Sequence, residues 1–196
     1  KADVAIVIVK GPAGGVGYSG EDRKNGGNGY VPIPLQYGEY AATGAREHSM
    51  AAGDPVIDPT ITDRTYKNKK FTSSNTGDLK LILDTKAAMG SKPVIVNMML
   101  SNPAVVAEFE KNIEGLVVTF GVQDQALLDI LSGAAEPSGL LPLQMPANMQ
   151  TVESQKEDVP QDMEPHKDSE GHSYDFGYGL SWKGLIKDER VTKYKK

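Results

Sequence analysis

The run VAIVIV at residues 4–9 holds six apolar positions in a row, most of them β-branched. It is as long as a strand and too short for a helix of its own. Because it does not alternate with polar residues, it reads as a strand buried on both faces, as in a parallel sheet with helices on either side. Two later runs repeat the pattern. KPVIVNMM at residues 92–99 opens with a proline, which a first strand position tolerates, and GLVVTF at residues 115–120 is short, β-branched and followed by glycine.

Helical patterns lie between and after these runs. Residues 78–89 place Leu79, Ile82, Leu83 and Lys86 on one stripe, with Asp78 as the expected N-cap and Gly90 where a C-cap glycine belongs. Asn102 and Pro103 form a second helix start, and residues 123–131 predict a further helix that stops at Ser132 and Gly133. Strands alternating with capped helices predict an α/β fold, a three-layer α/β sandwich with a mostly parallel sheet.

Two segments break the alternation. Residues 11–77 are rich in glycine, proline and polar side chains, with an apolar patch at 30–35 and a weak helical patch at 41–50. So long a connection inside a compact domain is expected to be a functional excursion with some structure of its own. Residues 146–173 read as a surface meander, and residues 183–196 as a tail with a basic end.

Composition narrows the function. The chain has 196 residues, 21 basic and 26 acidic, for a net charge of -5, and no cysteine; the mean hydropathy is -0.38. These values predict a globular protein with no disulfide, thiolate metal site or cysteine nucleophile, and a surface that gives no footing to nucleic acid. No apolar run approaches the roughly 18 residues of a membrane span, and the start lacks the pattern of an intact signal peptide. Lys1 stands where a methionine would, directly before the first apolar run, so the chain is expected to be a piece whose N-terminal neighbour is missing.

The spacing Gly15-Val-Gly17-Tyr-Ser-Gly20 matches a dinucleotide-binding fingerprint, which works only where its last glycine enters a helix. The following EDRKNGGNG at residues 21–29 is not expected to form a stable helix, and its carboxylates would repel phosphate, so no nucleotide cofactor is expected. His48, His166 and His172 lack metal-ligand spacing and are expected to be surface or loop residues, with no metal. There is no Gly-x-Ser-x-Gly elbow for a serine hydrolase.

The blocks EPSGLLPLQMP at residues 136–146 and YDFGYGLSW at residues 174–182 hold no reactive group; physically they are a turn into an apolar strand, and aromatics packed between glycines close to another backbone. Together and in this order they resemble the C-terminal domain of glycoside hydrolase family 3, the β-glucosidases and β-xylosidases, whose corresponding blocks run Asn-Pro-Ser-Gly-Arg-Leu-Pro and Phe-Gly-Tyr-Gly-Leu-Ser-Tyr. The resemblance spans residues 2–182. It implies an α/β sandwich that works beside an N-terminal (β/α)8 barrel, absent here, which supplies an aspartate nucleophile. It also implies a β-linked oligosaccharide or glycoside as substrate, no cofactor, and a periplasmic or extracellular location.

In that family the sandwich lends an acid/base glutamate from a loop after an early strand, within Gly-Glu-Gly-x-Asp-Arg or Ala-Gly-Glu-Asp. This chain has Ser19-Gly-Glu21-Asp-Arg23 there. Aligned on Gly-Glu, Glu21 is the candidate general acid/base. Aligned on Asp-Arg, the position falls to Ser19 and the chemistry is lost. The first alignment is preferred because a loop length changes more cheaply than a proton donor. The second corresponds to a non-catalytic, glycan-contacting accessory domain, and a free-standing flavodoxin-like nucleotide-binding module is a third reading. Retaining glycosidases need a nucleophilic carboxylate and, roughly 5 Å away, a second carboxyl that gives and then takes a proton.

Overall fold

A computed structural model describes residues 2–47, 64–156 and 159–194. In chain order the elements are β1 (Ala5–Lys10), α1 (Gly20–Lys24), β2 (Tyr40–Ala41), β3 (Lys70–Phe71), α2 (Thr76–Met89), β4 (Val94–Met99), β5 (Gly115–Thr119), α3 (Asp124–Leu131), α4 (Met149–Ser154), β6 (Leu180–Ser181), β7 (Gly184–Leu185) and α5 (Glu189–Tyr194). The three apolar runs form one three-stranded sheet in the order β1-β4-β5, parallel throughout, with Val7 opposite Val96 and Val96 opposite Leu116. The protein is an α/β sandwich on this sheet, as expected. Two short antiparallel pairs, β2 with β3 and β6 with β7, sit outside it.

The pleat sorts the strand residues. Val7 and Val9 of β1, Val94, Val96 and Met98 of β4, and Leu116 and Val118 of β5 share one face and pack with Ile82 of α2, Phe109 and Met145 in the main core. Ile6 and Ile8 point to the opposite face, where they are 43% and 64% exposed. The expectation that the first strand is buried on both faces is therefore corrected. β1 is an edge strand, and the helix on its outer face, α3, stands only over the carboxyl end, where Leu127 lines a cleft with Ile8, Asn97 and Thr119.

α2 ends at Gly90 (φ 63), whose N–H bonds to the Lys86 carbonyl. It begins two residues before Asp78, with Asn75 at the N-cap position. Asn75 serves the loop that leaves β1: its Oδ1 accepts from Ala13 N at 2.8 Å and its Nδ2 donates to Gly11 O at 3.1 Å and to Asp78 Oδ2 at 2.9 Å. α3 follows its expectation to within one residue, with Gln123 at the N-cap position and no side-chain capping bond.

Three local expectations are corrected. After Asn102 and Pro103 there is no α-helix, only single 3-10 turns at Val106–Glu108 and Glu110–Asn112. Ala104, Val105, Val106 and Phe109 are buried there while Ala107 and Lys111 face solvent, and Glu108 turns back to accept from Tyr37 N and Gly38 N at 2.6 and 2.8 Å, contacts that fix the chain in short turns. The helical patch at 41–50 is β2 followed by irregular chain as far as residue 47, because Ala42 N bonds to Lys69 O and Asn68 N to Ala42 O; residues 48–50 lie outside the described residues. The stretch after Gly20 does form a helical turn, α1. The meander at 146–173 contains α4 and the bridges Pro146 to Pro165 and Lys167 to Ser173, and the region after 183 carries β7 and α5.

Candidate functional site

The excursion after β1 turns back on itself between Gly17 and Val31. Ser19 N donates to Gly29 O and Val31 N to Gly17 O, at 2.7 and 3.1 Å, and the Tyr18 and Tyr30 rings meet edge to face at 5.9 Å. At the tip of this turn lies α1. A single helical turn flanked by glycines has no stability of its own, so it depends on caps and tertiary anchors. Ser19 caps it, its Oγ accepting from Asp22 N at 3.2 Å, and the acidic Glu21 and Asp22 stand in the first turn with Arg23 and Lys24 in the last, the arrangement the helix dipole favours.

Asp22 is the anchor. Its Oδ2 accepts from Gly29 N at 2.8 Å and pairs with Lys69 Nζ at 2.6 Å. Lys69, on the far arm of the excursion, also donates to Asn28 Oδ1 at 2.6 Å, and Asn28 Nδ2 donates to Thr65 O at 2.7 Å. The Lys69 ammonium holds the Asp22 carboxyl below the usual carboxylate range, helped by the Gly29 N–H and opposed by burial. Gly29 has to be glycine: its φ is +88, and a Cβ would lie 2.4 Å from the Tyr18 ring.

Glu21 is held the opposite way. Its side chain is 76% exposed and, among the described residues, pairs with Lys24, whose Nζ lies 2.7 Å from Oε1. Such a pair is worth little in water and does not fix the carboxylate. The two neighbouring acids thus divide the work: Asp22 locks the turn, and Glu21 presents a carboxyl to the outside. Ser19 has its hydroxyl engaged as the cap. Two of the N-terminal N–H groups of α1 are already used within the turn, Asp22 N and Arg23 N both bonding to Ser19.

The two glycine-bearing blocks run side by side. Leu141 N donates to Tyr178 O, Gly177 N to Leu141 O, and Met145 N to Tyr174 O, all within 2.9 Å. A Cβ on Gly179 would stand 2.1 Å from the Gly139 carbonyl oxygen, which is the close backbone approach the sequence predicts. Asp175 fixes the corner, accepting from Gln144 Nε2 and Phe176 N at 2.8 and 2.7 Å.

Both described histidines lie in loops, as expected, and His166 is buried there: its Nε2 lies 3.3 Å from Glu110 Oε2 and its ring meets Tyr174 edge to face. His172 pairs with Asp168 at 3.1 Å and lies beside Tyr178, which stacks on Tyr174. Burial, with the nearby Asp168 carboxylate, pushes the Tyr178 hydroxyl up to about 12. His48 lies outside the described residues. Among the described residues no three His, Asp or Glu side chains converge as a metal-binding set, and no helix is long and apolar enough to cross a membrane.

Sequence reasoning missed Asp22, Asn28 and Lys69 as a unit. Lys69 is 47 positions from Asp22, and neither carries a local pattern that names the other.

The profile of the glycosyl hydrolase family 3 C-terminal domain matches residues 1–182. The chain is 34% identical over 104 residues to a protein named probable beta-glucosidase C from Aspergillus flavus, a stretch amounting to 50% of this chain and 16% of that protein. It is 35% identical over 92 residues to beta-glucosidase C of Emericella nidulans, covering 47% of this chain and 14% of the relative. With a periplasmic beta-glucosidase/beta-xylosidase of Dickeya chrysanthemi it shares 31% identity over 93 residues, 47% of this chain and 13% of the relative. The aligned part is thus a small fraction of each relative's length.

Proposed function

Because this chain belongs to glycosyl hydrolase family 3, as its C-terminal domain, we propose that it serves a retaining β-glycosidase of the β-glucosidase or β-xylosidase class by holding the acid/base residue, Glu21, against an N-terminal barrel domain. The observation that carries this reading is the split between the two acids of α1. The anchored Asp22 fixes the backbone of the turn while the exposed Glu21 is free to reach a neighbouring surface. A proton donor must be delivered to one face of the scissile bond and then wait to activate water, so a rigid turn with an outward carboxyl suits the task.

In this reading the barrel aspartate attacks the anomeric carbon while Glu21 protonates the departing glycosidic oxygen. Glu21, now a carboxylate, then takes a proton from the water that releases the sugar. The chain alone holds one of the two carboxyl groups, so it is expected to hydrolyse no glycoside. Turnover of an aryl β-glucoside by the purified 196-residue chain would contradict this.

The decisive test is Glu21→Ala in the protein that joins this domain to its barrel. Cleavage of an unactivated disaccharide should slow by about 10² to 10⁴ fold, the usual contribution of a general acid, while aryl glycosides with good leaving groups lose far less in the bond-breaking step. Azide should restore turnover of the activated substrate by replacing the water that Glu21 activates. Unchanged activity on the disaccharide would move the domain to the accessory reading, in which the acid/base position falls on Ser19, a hydroxyl already engaged in capping.

A further inference from the structure

Asparagine is followed by glycine at two places in the chain, Asn25-Gly26 and Asn28-Gly29, both in the turn that carries Glu21. Such a pair is chemically unstable in water. The glycine main-chain nitrogen, once it loses its proton to solvent base, can attack the asparagine Cγ, because no Cβ on the glycine hinders the approach. A bond forms between that nitrogen and Cγ, the bond from Cγ to the side-chain nitrogen breaks, and the side-chain nitrogen leaves as ammonia with a proton from water. Water then opens the five-membered ring at either carbonyl, giving aspartate or isoaspartate with no oxidation or reduction. The fold controls two things on which ring formation depends, the freedom of the asparagine amide and the freedom of the glycine N–H.

The two pairs are held very differently. The Asn28 amide is engaged at both ends: Nδ2 donates to Thr65 O at 2.7 Å, and Oδ1 accepts from Lys69 Nζ at 2.6 Å and from Tyr30 N at 3.0 Å. Gly29 is buried and its N–H donates to the Asp22 carboxylate at 2.8 Å. The Tyr18 ring fills the space beside it, 2.4 Å from where a Cβ would stand. Asn25 has none of these restraints. It is exposed, it ends α1, and its side chain makes no hydrogen bond among the described residues. Gly26 is exposed as well, with nothing within 4 Å of its Cβ position. Its N–H makes one long bond, 3.2 Å to Arg23 O, which has to open before attack. That bond closes a helix of a single turn, and such a turn frays readily.

We infer that Asn25-Gly26 is a site of spontaneous deamidation beside Glu21, and that the Asp22–Lys69 anchor protects the neighbouring Asn28-Gly29. The product changes the setting of Glu21. Asn25 N donates to Glu21 O at 3.0 Å, so isoaspartate, which adds a methylene to the main chain, lengthens the chain where α1 is closed. Either product also puts a carboxylate at the i, i+4 spacing from Glu21, where like charges repel, and directly after Lys24, the partner of Glu21. The site rests on the geometry of the turn; its effect on catalysis rests on the glycosidase reading of Glu21.

The test is to age the purified 196-residue chain in warm, mildly alkaline buffer. Peptide mass spectrometry locates each amide-to-acid conversion, and an isoaspartate-specific methyltransferase identifies the product. Asn25 should convert about tenfold or more faster than Asn28, the factor expected when at least one charge-assisted bond has to break first. In urea, with the turn lost, the two should convert at similar rates. Asp22→Ala frees the Gly29 N–H and should bring the folded-state rate at Asn28 up toward that at Asn25. Asn25→Gln, which would need a six-membered ring, should stop conversion at residue 25. Equal rates in the folded chain, faster conversion at Asn28, or an Asn25 that stays intact while the urea-unfolded chain converts would each overturn the inference. In the protein that joins this domain to its barrel, ageing should lower disaccharide cleavage in wild type and not in Asn25→Gln. Conversion at Asn25 with undiminished cleavage would confirm the site and overturn its coupling to Glu21, whose own role Glu21→Ala tests separately.

Discussion

Asp22 and Glu21 are adjacent, identical in charge and opposite in use. Asp22→Ala removes two charge-assisted bonds from a side chain that is 23% exposed and should cost about 2 kcal/mol at neutral pH. The pH dependence has a defined sign. Because folding lowers the Asp22 pKa, its contribution is fully present above the unfolded value of about 3.9 and is lost as pH falls through the folded value. Urea unfolding should therefore separate wild type from Asp22→Ala clearly at pH 7, with the two curves converging in strong acid. A gap that stays constant down to pH 2 would show that the carboxylate charge is not what holds the turn. Lys69→Met should reproduce much of the loss, and combining it with Asp22→Ala should add little, since both remove the same pair.

At the level of elements, the pairing of the two glycine-bearing blocks makes a sharp demand on Gly179. Gly179→Ala puts a methyl group into the Gly139 carbonyl and should destabilise the domain by about 1 to 3 kcal/mol, read as a shift in the urea midpoint, whereas Gly139→Ala, which meets nothing within 4 Å, should be much milder. The same elements show where sequence is informative. β1, β4, β5, α2 and α3 could be read directly, because apolar runs, a helical stripe and a C-cap glycine are local signals. The segment after Pro103 carried an equally good local start signal, and long-range contacts overrode it, with Glu108 drawn to Tyr37 and Gly38 some 70 positions away. α1 ran the other way: its glycine-flanked charges give no propensity, and an anchor far along the chain stabilises it. Of the candidate site, Glu21 was legible only through resemblance to a family, and the network that positions it could not be inferred because its contacts are long-range.

Across the whole molecule the edge strand β1 has one dry face and one wet one. Val7→Ala on the dry face should cost about 2 kcal/mol, while Ile6→Ser next to it, at a position 43% exposed, should change the urea midpoint little. The same Ile6→Ser change should weaken binding of a hydrophobic dye and any concentration-dependent self-association, because Val4, Ile6 and Ile8 together form an exposed apolar patch. Equal destabilisation by the two substitutions would mean that the outer face is covered in solution. The strand order also sets a timetable. Joining β4 to β5 closes a loop of about twenty residues, whereas seating β1 beside β4 closes one of about ninety. By the logarithmic growth of loop entropy the second closure is harder by roughly 1 kcal/mol, before any ordering of the excursion itself is counted. The transition state for folding should accordingly contain β4 and β5 with little of β1, so that destabilising changes at Val96 or Val118 slow refolding and those at Val7 or Val9 chiefly speed unfolding. The loop that carries Glu21 departs from β1, the strand that joins the sheet last.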